Sequence, residues 1–160
     1  MSEVVLSRIR KALLDAGVVF REVQHEPTFT SAESAQARGE ELKTGAKALL
    51  LRVDDRFAIL VLPADRQLDS AAVKRYFQAK RLRFATSDEL HQLTGLVPGS
   101  LPPFGHPILP FDLYADSSLG TDDDKLAFNA GSLTISIVMS ANDWEQVAQP
   151  KRFSFAKPKD

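Results

Sequence analysis

Apolar residues recur along the chain with changing period, and the changes mark out its elements. Val4, Leu6, Ile9, Leu13 and Leu14 repeat at helical spacing and Gly17 follows as a stop, which predicts an amphipathic helix over 2–16. Residues 18–23 read as a strand that His25-Glu26-Pro27 breaks. Thr30 and Glu33 have the spacing of a capping box, opening a short helix that stops near Gly39. Runs at 46–53 and 56–62 read as strands joined at Asp54-Asp55, a hairpin. Asp69 is placed to cap a helix through Lys80 with Ala72, Val73, Tyr76 and Phe77 inward. Thr86 and Glu89 repeat the capping-box spacing before a helix ending at Thr94-Gly95.

Residues 95–110 are too rich in glycine and proline for a helix or a central strand. Strands are expected again at 108–115, 126–129 and 132–139, with turns at Asp122-Asp123-Asp124 and Gly131. Ser140 and Asp143 open a last helix carrying Trp144 and Val147. The short basic tail from Gln149 is expected to lie over the body or fray. Helices and strands are interspersed without strict βαβ alternation. The expected fold is therefore α/β of the α+β kind, with a mixed sheet or open barrel rather than a doubly wound sheet.

One residue breaks the apolar pattern of the first hairpin. Alternation sets Lys47 with Leu49 and Leu51 on one strand face, and Ala46, Ala48 and Leu50 on the other, so both faces are largely apolar. A lysine is rarely buried without a partner. Either Lys47 is an edge lysine that snorkels to water, or it faces a cleft and meets a phosphate or carboxylate. The glycine-rich loop over 95–105 is a second candidate, because backbone amides there can approach a carbonyl oxygen or an oxyanion. Its alternative is a surface turn stiffened by proline.

Composition narrows the chemistry. The 160 residues are 44% hydrophobic and 26% charged, ordinary values for one soluble globular domain, 1–160. The absence of cysteine removes disulfides, thiolate nucleophiles and Cys-ligated zinc together. No signal peptide opens the chain and no stretch approaches a membrane span of ~20 apolar residues, so a cytoplasmic location is expected. His25, His91 and His106 lie far apart without ligand spacing, and Asp122-Asp123-Asp124 lacks the glycine and glutamate of a calcium loop. No Gly-x-Ser-x-Gly elbow occurs. No metal and no cofactor are expected. Net charge is -1, yet Lys74, Arg75, Lys80, Arg81 and Arg83 fall within ten residues that hold no acid. They read either as a solvated face or as a phosphate-binding patch.

Several segments together resemble one family. The order is His25-x-x-x-Phe29-Thr30-x-x-Glu33, then Gly45-Ala46-Lys47-Ala48-Leu49-Leu50-Leu51, then Leu60-Val61-Leu62-Pro63-Ala64-Asp65, then Thr94-Gly95-x-x-Pro98-Gly99-Ser100-x-x-Pro103, then Phe128-Asn129-Ala130-Gly131-Ser132. This arrangement is similar to the YbaK/prolyl-tRNA synthetase-associated editing domain family across nearly the whole chain. The resemblance implies a compact mixed fold curling toward an open barrel with flanking helices, and a trans-editing hydrolase that deacylates mischarged aminoacyl-tRNA. The amino acid removed would be small: Ala, Cys, Ser or Thr.

By position, the resemblance implies that Lys47 holds the 3' end of the tRNA and that the loop of Gly95, Pro98, Gly99 and Ser100 engages the aminoacyl group. It implies hydrolysis assisted by a hydroxyl of the terminal adenosine, without a side-chain nucleophile. Phe29, Thr30, Leu50, Phe104, Asn129 and Gly131 are the expected pocket residues, and Lys74, Arg75, Lys80, Arg81 and Arg83 the expected tRNA contacts. Aminoacyl-tRNA is the expected partner, with an aminoacyl-tRNA synthetase as a second; no membrane and no DNA are implied. The competing reading is a non-catalytic tRNA-binding or synthetase-associated regulatory module.

Overall fold

The computed structural model describes residues 2–121 and 125–159, and the turn read at Asp122-Asp123-Asp124 lies outside the described residues. Helix α1 (Ser2–Asp15) buries Val5, Leu6, Ile9 and Leu13, while Val4 and Leu14 of the same pattern stay exposed. Strand β1 (Phe20–Gln24) leads to α2 (Ser31–Arg38), whose capping box is complete. Thr30 Oγ1 accepts the Glu33 amide and the Glu33 carboxylate accepts the Thr30 amide, each at 3.1 Å. Gly39 ends α2 at φ 72°, a conformation free of steric cost only without a Cβ.

A turn of 3-10 helix (Leu42–Thr44) feeds β2 (Ala46–Val53), which returns as β3 (Arg56–Pro63) in the expected hairpin. Asp54 Oδ1 accepts the amides of Lys80 and Arg81 at 3.0 and 2.9 Å, which ties the hairpin turn to a later segment. The remaining elements are β4 (Arg66–Leu68), α3 (Ser70–Phe77), β5 (Leu82–Phe84), α4 (Ser87–Thr94), β6 (Asp112–Asp116), β7 (Lys125–Asn129), β8 (Ile135–Ser140), α5 (Ala141–Ala148), β9 (Lys151–Phe153) and β10 (Ala156–Pro158).

Three boundaries differ from expectation for local reasons. Helix α3 stops before Lys80 because Gln78 turns left-handed at φ 53°. The strand expected from 108 starts only at Asp112, since Pro107 and Pro110 hold the preceding residues in turns. The strand expected from 132 starts at Ile135, because Ser132 Oγ accepts the Thr134 amide at 3.0 Å and competes with the ladder. The tail does not fray: it forms β9 and β10.

The strands form a mixed five-stranded sheet, β5-β2-β3-β6-β9, an antiparallel sheet β1-β8-β7 and a pair β10-β4. β6 runs parallel to β3 and β9, and β2 antiparallel to its neighbours. The ladders do not close into a barrel; one parallel bridge, Gly45 to Ala127, links the larger two among the described residues. The fold is mixed α+β. Alternation along β3 sends Ile59 and Val61 into a core with α1, Phe104, Phe128 and Trp144, and Ala58, Leu60 and Leu62 into a second core with Val73, Tyr114 and Phe155. No helix of the described residues is long and apolar enough to cross a membrane.

β2 positions the site. β3 covers one edge of it along the whole strand, whereas β5 covers the other edge only over residues 51–53. The Leu50 carbonyl accepts the Ala85 amide at 2.9 Å, so strand alternation turns the N–H and C=O of Ala48 toward the same open side. A gap is left between β5 and the Gly45 bridge. The close approach there suits Gly45, since a Cβ would stand 3.0 Å from Ala64 Cβ and 3.2 Å from the Leu42 carbonyl and would press both aside.

Asp116 fastens the tail. Its buried carboxylate accepts the amides of Phe155 at 2.7 Å, Ala156 at 2.8 Å and Ser118 at 2.9 Å, and the Ser118 hydroxyl as well. Burial alone would push this carboxyl up, but the donors from Ser118, Phe155 and Ala156 hold it below its ordinary value. The stability so gained is present above the unfolded pKa and is lost as pH falls through the folded one. Asp116→Ala is expected to cost at least about 3 kcal/mol in urea unfolding and to remove this part of the acid sensitivity. A loss below about 1 kcal/mol would show that β10 is held by other means.

Candidate functional site

A cleft of about 230 Å³ opens in the gap beside β2, walled by α2, the end of β3, the loop around Gly99 and the end of β7. Five of the sequence-predicted residues meet there: Phe29, Thr30, Lys47, Gly99 and Asn129. Phe29 is 76% exposed. Thr30 Oγ1 is committed to capping α2.

Lys47 Nζ donates to the Arg66 carbonyl at 3.2 Å, and Lys159 Nζ donates to the Ala64 carbonyl at 3.0 Å, so two ammonium groups converge on one turn. Burial, and then the charge of Lys159, push Lys47 below the usual lysine value. This is neither the snorkelling edge lysine nor a paired one. It is a half-buried cation whose protein partner is a neutral carbonyl.

The other predicted residues are placed differently. Phe104 is not a cleft wall: it is 2% exposed in the core and packs edge-on against Phe128, ring centroids 5.5 Å apart. Leu50 and Pro98 line an adjoining cavity. Gly131 is buried in the turn after β7, at φ 74°, outside the cleft lining.

In the loop, the Gly95 amide donates to His91 O at 2.7 Å to close α4, Pro98 has no N–H, and the Ser100 amide donates to Val97 O at 3.1 Å. The Ser100 hydroxyl donates to the same carbonyl at 2.8 Å. Among the described residues, the Gly99 amide is the one of the four loop positions left with an uncommitted donor. Gly99 needs its glycine, because φ is +89° and a Cβ would lie 3.3 Å from Leu133 Cδ2.

Three residues not singled out from the sequence build the cleft floor: Thr28, Ser34 and Arg38, all buried. Arg38 Nε donates to Ser136 Oγ at 2.9 Å and Arg38 Nη2 to Asn129 Oδ1 at 3.1 Å, while Asn129 Nδ2 donates to the Gly99 carbonyl at 2.7 Å. Burial pushes the Arg38 guanidinium down to about 10, partly opposed by Glu40. Behind it, His25 Nε2 shares a 2.9 Å hydrogen bond with Ser136 Oγ. The Thr28 and Ser34 hydroxyls bond each other at 2.8 Å. The signal available in the sequence was the i, i+4 spacing of Ser34 and Arg38 on one face of α2.

None of the residues lining the cleft is a carboxylate or an imidazole. Among the described residues no three His, Asp or Glu side chains gather as a metal site would need. The arrangement offers cations, hydroxyls and one loop amide to a ligand that is anionic or carries polarised oxygens.

The basic run is exposed but not uniform. Lys74 and Arg75 end α3, Lys80 and Arg81 follow it, and Arg83 is held by Glu89 through bonds of 2.7 and 3.0 Å. The Arg83 hydrogen bonds, with the Thr86 amide, hold Glu89 down at about 2. The segment empty of acid in sequence thus meets two in space, Glu89 on Arg83 and Asp54 on the Lys80 and Arg81 amides.

Residues 25–147 match the family described as aminoacyl-tRNA editing domain. Over 155 residues the chain is 34% identical to the multifunctional Ser/Thr-tRNA deacylase ProXp-y of Escherichia coli (strain K12), covering 94% of this chain and 92% of that protein. It is 30% identical over 107 residues to the proline--tRNA ligase of Macrococcus caseolyticus (strain JCSC5402), covering 66% of this chain and 18% of the ligase. A crystal structure provisionally described as a trans-editing enzyme for prolyl tRNA synthetase shares the fold with a TM-score of 0.82 at 23% identity, covering 96% of this chain and 97% of that one.

A lysine whose folded pKa is depressed costs stability while it is protonated, and the cost is relieved as pH rises through the folded value toward the unfolded one. Lys47→Met is therefore expected to raise Tm at pH 7 by roughly 2–4 °C, the effect of about 1 kcal/mol in a domain of this size, and the gain should shrink in alkaline buffer. A lowered Tm at pH 7 would mean that the Arg66 bond outweighs desolvation.

Proposed function

Because the chain belongs to the aminoacyl-tRNA editing domain family, we propose that it is a trans-editing deacylase, hydrolysing the ester between a small amino acid and the terminal ribose of a mischarged tRNA. The observation that carries this reading is the cleft itself, which joins a half-buried Lys47 to one free loop amide in a lining that holds no carboxylate or imidazole. Lys47 supplies a compact positive charge for a phosphate or ribose oxygen of the tRNA end. The Gly99 amide is the donor for the ester carbonyl as negative charge develops on it. Water adds to the carbonyl carbon, the bond from that carbon to the ribose oxygen breaks, and a proton passes to the leaving oxygen. The products are the free amino acid and an uncharged tRNA.

The lining holds no carboxylate or imidazole to act as a general base, which is compatible with the substrate-assisted hydrolysis that the family resemblance implies, a vicinal ribose hydroxyl orienting the water. The floor supports a narrower substrate choice. The Thr28 and Ser34 hydroxyls keep donor and acceptor capacity beyond their mutual bond, which suits an aminoacyl side chain that itself bears a hydroxyl. The similar deacylase is named for Ser and Thr. A synthetase pocket discriminates poorly against an amino acid differing by one small group, and a second hydrolytic site makes up the deficit.

A panel of Ala-, Cys-, Ser- and Thr-charged tRNAs tests the reading. Ser and Thr esters are expected to turn over faster than Ala, and the double variant Thr28→Val, Ser34→Ala to lower the Ser-to-Ala ratio of kcat/KM about tenfold. Lys47→Ala should abolish turnover while the protein still melts cooperatively. No turnover on any panel member at micromolar protein would instead support a non-catalytic tRNA-binding module.

The exposed cations Lys74, Arg75, Lys80 and Arg81 are the proposed tRNA backbone contacts, with Arg83 contributing less because Glu89 holds it. Replacing the first four by Gln should weaken tRNA binding and reduce the slope of log K against log salt by about 0.9 for each phosphate no longer neutralised. An unchanged slope would make them an ordinary solvated face.

A further inference from the structure

A second cavity, also about 230 Å³, adjoins the first across Gly99, and Ala48, Leu49 and Leu101 line both. The two differ in chemistry. Where the first holds Lys47, Arg38 and hydroxyls, the second is walled by Leu50, Phe84, Leu90 and Pro98, with Thr86 and Ser87 as its polar residues. Phe84 sits on the short strand β5 and is 57% exposed. An exposed aromatic ring on an edge strand is a liability for a free protein, which makes an occupant the economical explanation.

The size of the first cleft points to the same need. Sites that enclose a drug-sized molecule run from ~300 to 1,000 Å³. The first cleft falls below that range and so accommodates the aminoacyl group and the ester but not a nucleoside as well. The ester at Gly99 would leave the base of its own nucleotide on the far side of that glycine, where the second cavity begins.

We propose that this cavity seats the terminal adenine of the substrate, stacked on the Phe84 ring and flanked by Pro98 and Leu90. The proposal rests on the deacylase reading given above. Stacking on an exposed aromatic beside a cationic groove is how proteins hold the unpaired end of a nucleic acid. Beside the cavity, Arg52, Arg81 and Arg83 line a depression that begins on the strand carrying Phe84, three cations against one acid, Asp54. β5 pairs Arg83 with Arg52 on β2, and since Glu89 holds Arg83, Arg52 and Arg81 are the guanidinium groups that mark the way out for the phosphates that precede the terminal nucleotide. Phe29 is the competing platform, but it stands on the rim of the first cleft and has no part in the second.

The probe is 5'-AMP, titrated into isotope-labelled protein while backbone amide signals are followed. Shifts are expected at Phe84, Ala85, Ser87, Leu90 and Gly99. Phe84→Ala and Phe84→Leu should each weaken AMP binding about tenfold, Phe84→Trp should restore it, and Phe29→Ala should change it less than twofold. Cooperative melting of each variant checks the fold, and the leucine variant separates stacking from mere apolar contact.

Absence of AMP binding at millimolar concentration overturns the proposal, as does an unaltered Kd in both Phe84→Ala and Phe84→Leu, or a weakening that follows Phe29. The deacylation panel is read separately. Turnover of Ser-tRNA with no AMP in the second cavity defeats this inference alone, whereas AMP stacking on Phe84 with no turnover of any ester defeats the deacylase reading alone.

Discussion

The Arg38 guanidinium is the constraint on which the cleft depends. It is buried at the end of a two-turn helix and its hydrogen bonds go to neutral oxygens on β7 and β8, Asn129 Oδ1 and Ser136 Oγ. Asn129 passes the restraint on by donating to the Gly99 carbonyl. One side chain therefore fixes α2, two strands and the loop relative to one another. Taking it away would leave two polar groups without their charged donor, each costing about 1–3 kcal/mol where water cannot enter. Gly45 lies in the same packing, where a Cβ would press on Ala64 at 3.0 Å and reach ordinary contact with Arg38 Nη1 at 3.5 Å.

What the sequence made legible was what local chemistry decides. Both capping boxes, the hairpin turn at Asp54 and the buried stripe of α1 follow from residues within a few positions of each other. The strands β4, β5, β9 and β10 are three residues each and show no period of their own. They exist because distant partners supply the ladder, β10 pairing with β4 some ninety positions earlier. Asp116, in turn, holds the chain at Phe155 and Ala156, so the tail is ordered by a carboxylate and not by any pattern within it.

The site divides along the same line. Lys47 was visible because a charge interrupts an apolar run, and Gly99 because breakers crowd its loop. Ser34 and Arg38 were not, since serine and arginine on a short helix read as its solvent face. Their burial is decided by Ser136 and Asn129, nearly a hundred positions away. Phe104 was misplaced for the opposite reason: position in a motif says that a residue is near a site, and only packing says that its ring faces Phe128 instead. The loop amides teach the same lesson. Four positions look equivalent in a glycine-rich stretch, yet helix closure, a proline and a tight turn consume three of them.

The lack of a carboxylate in the cleft lining has an electrostatic consequence for any anion that enters it. A carboxylate set 4 Å from Lys47 would attract it by about 4 kcal/mol at an effective dielectric near 20, and would cancel the field that an incoming phosphate meets. It would also repel the negative charge that gathers on an ester oxygen during hydrolysis. The protein instead bears the desolvation of Lys47 and Arg38, two cations that burial pushes below their usual pKa values. Lys159 adds to that burden from the tail, its ammonium held on the same turn as Lys47. With no carboxylate in the cleft lining to offset that desolvation, part of the free energy of binding an anion there would come from neutralising these cations.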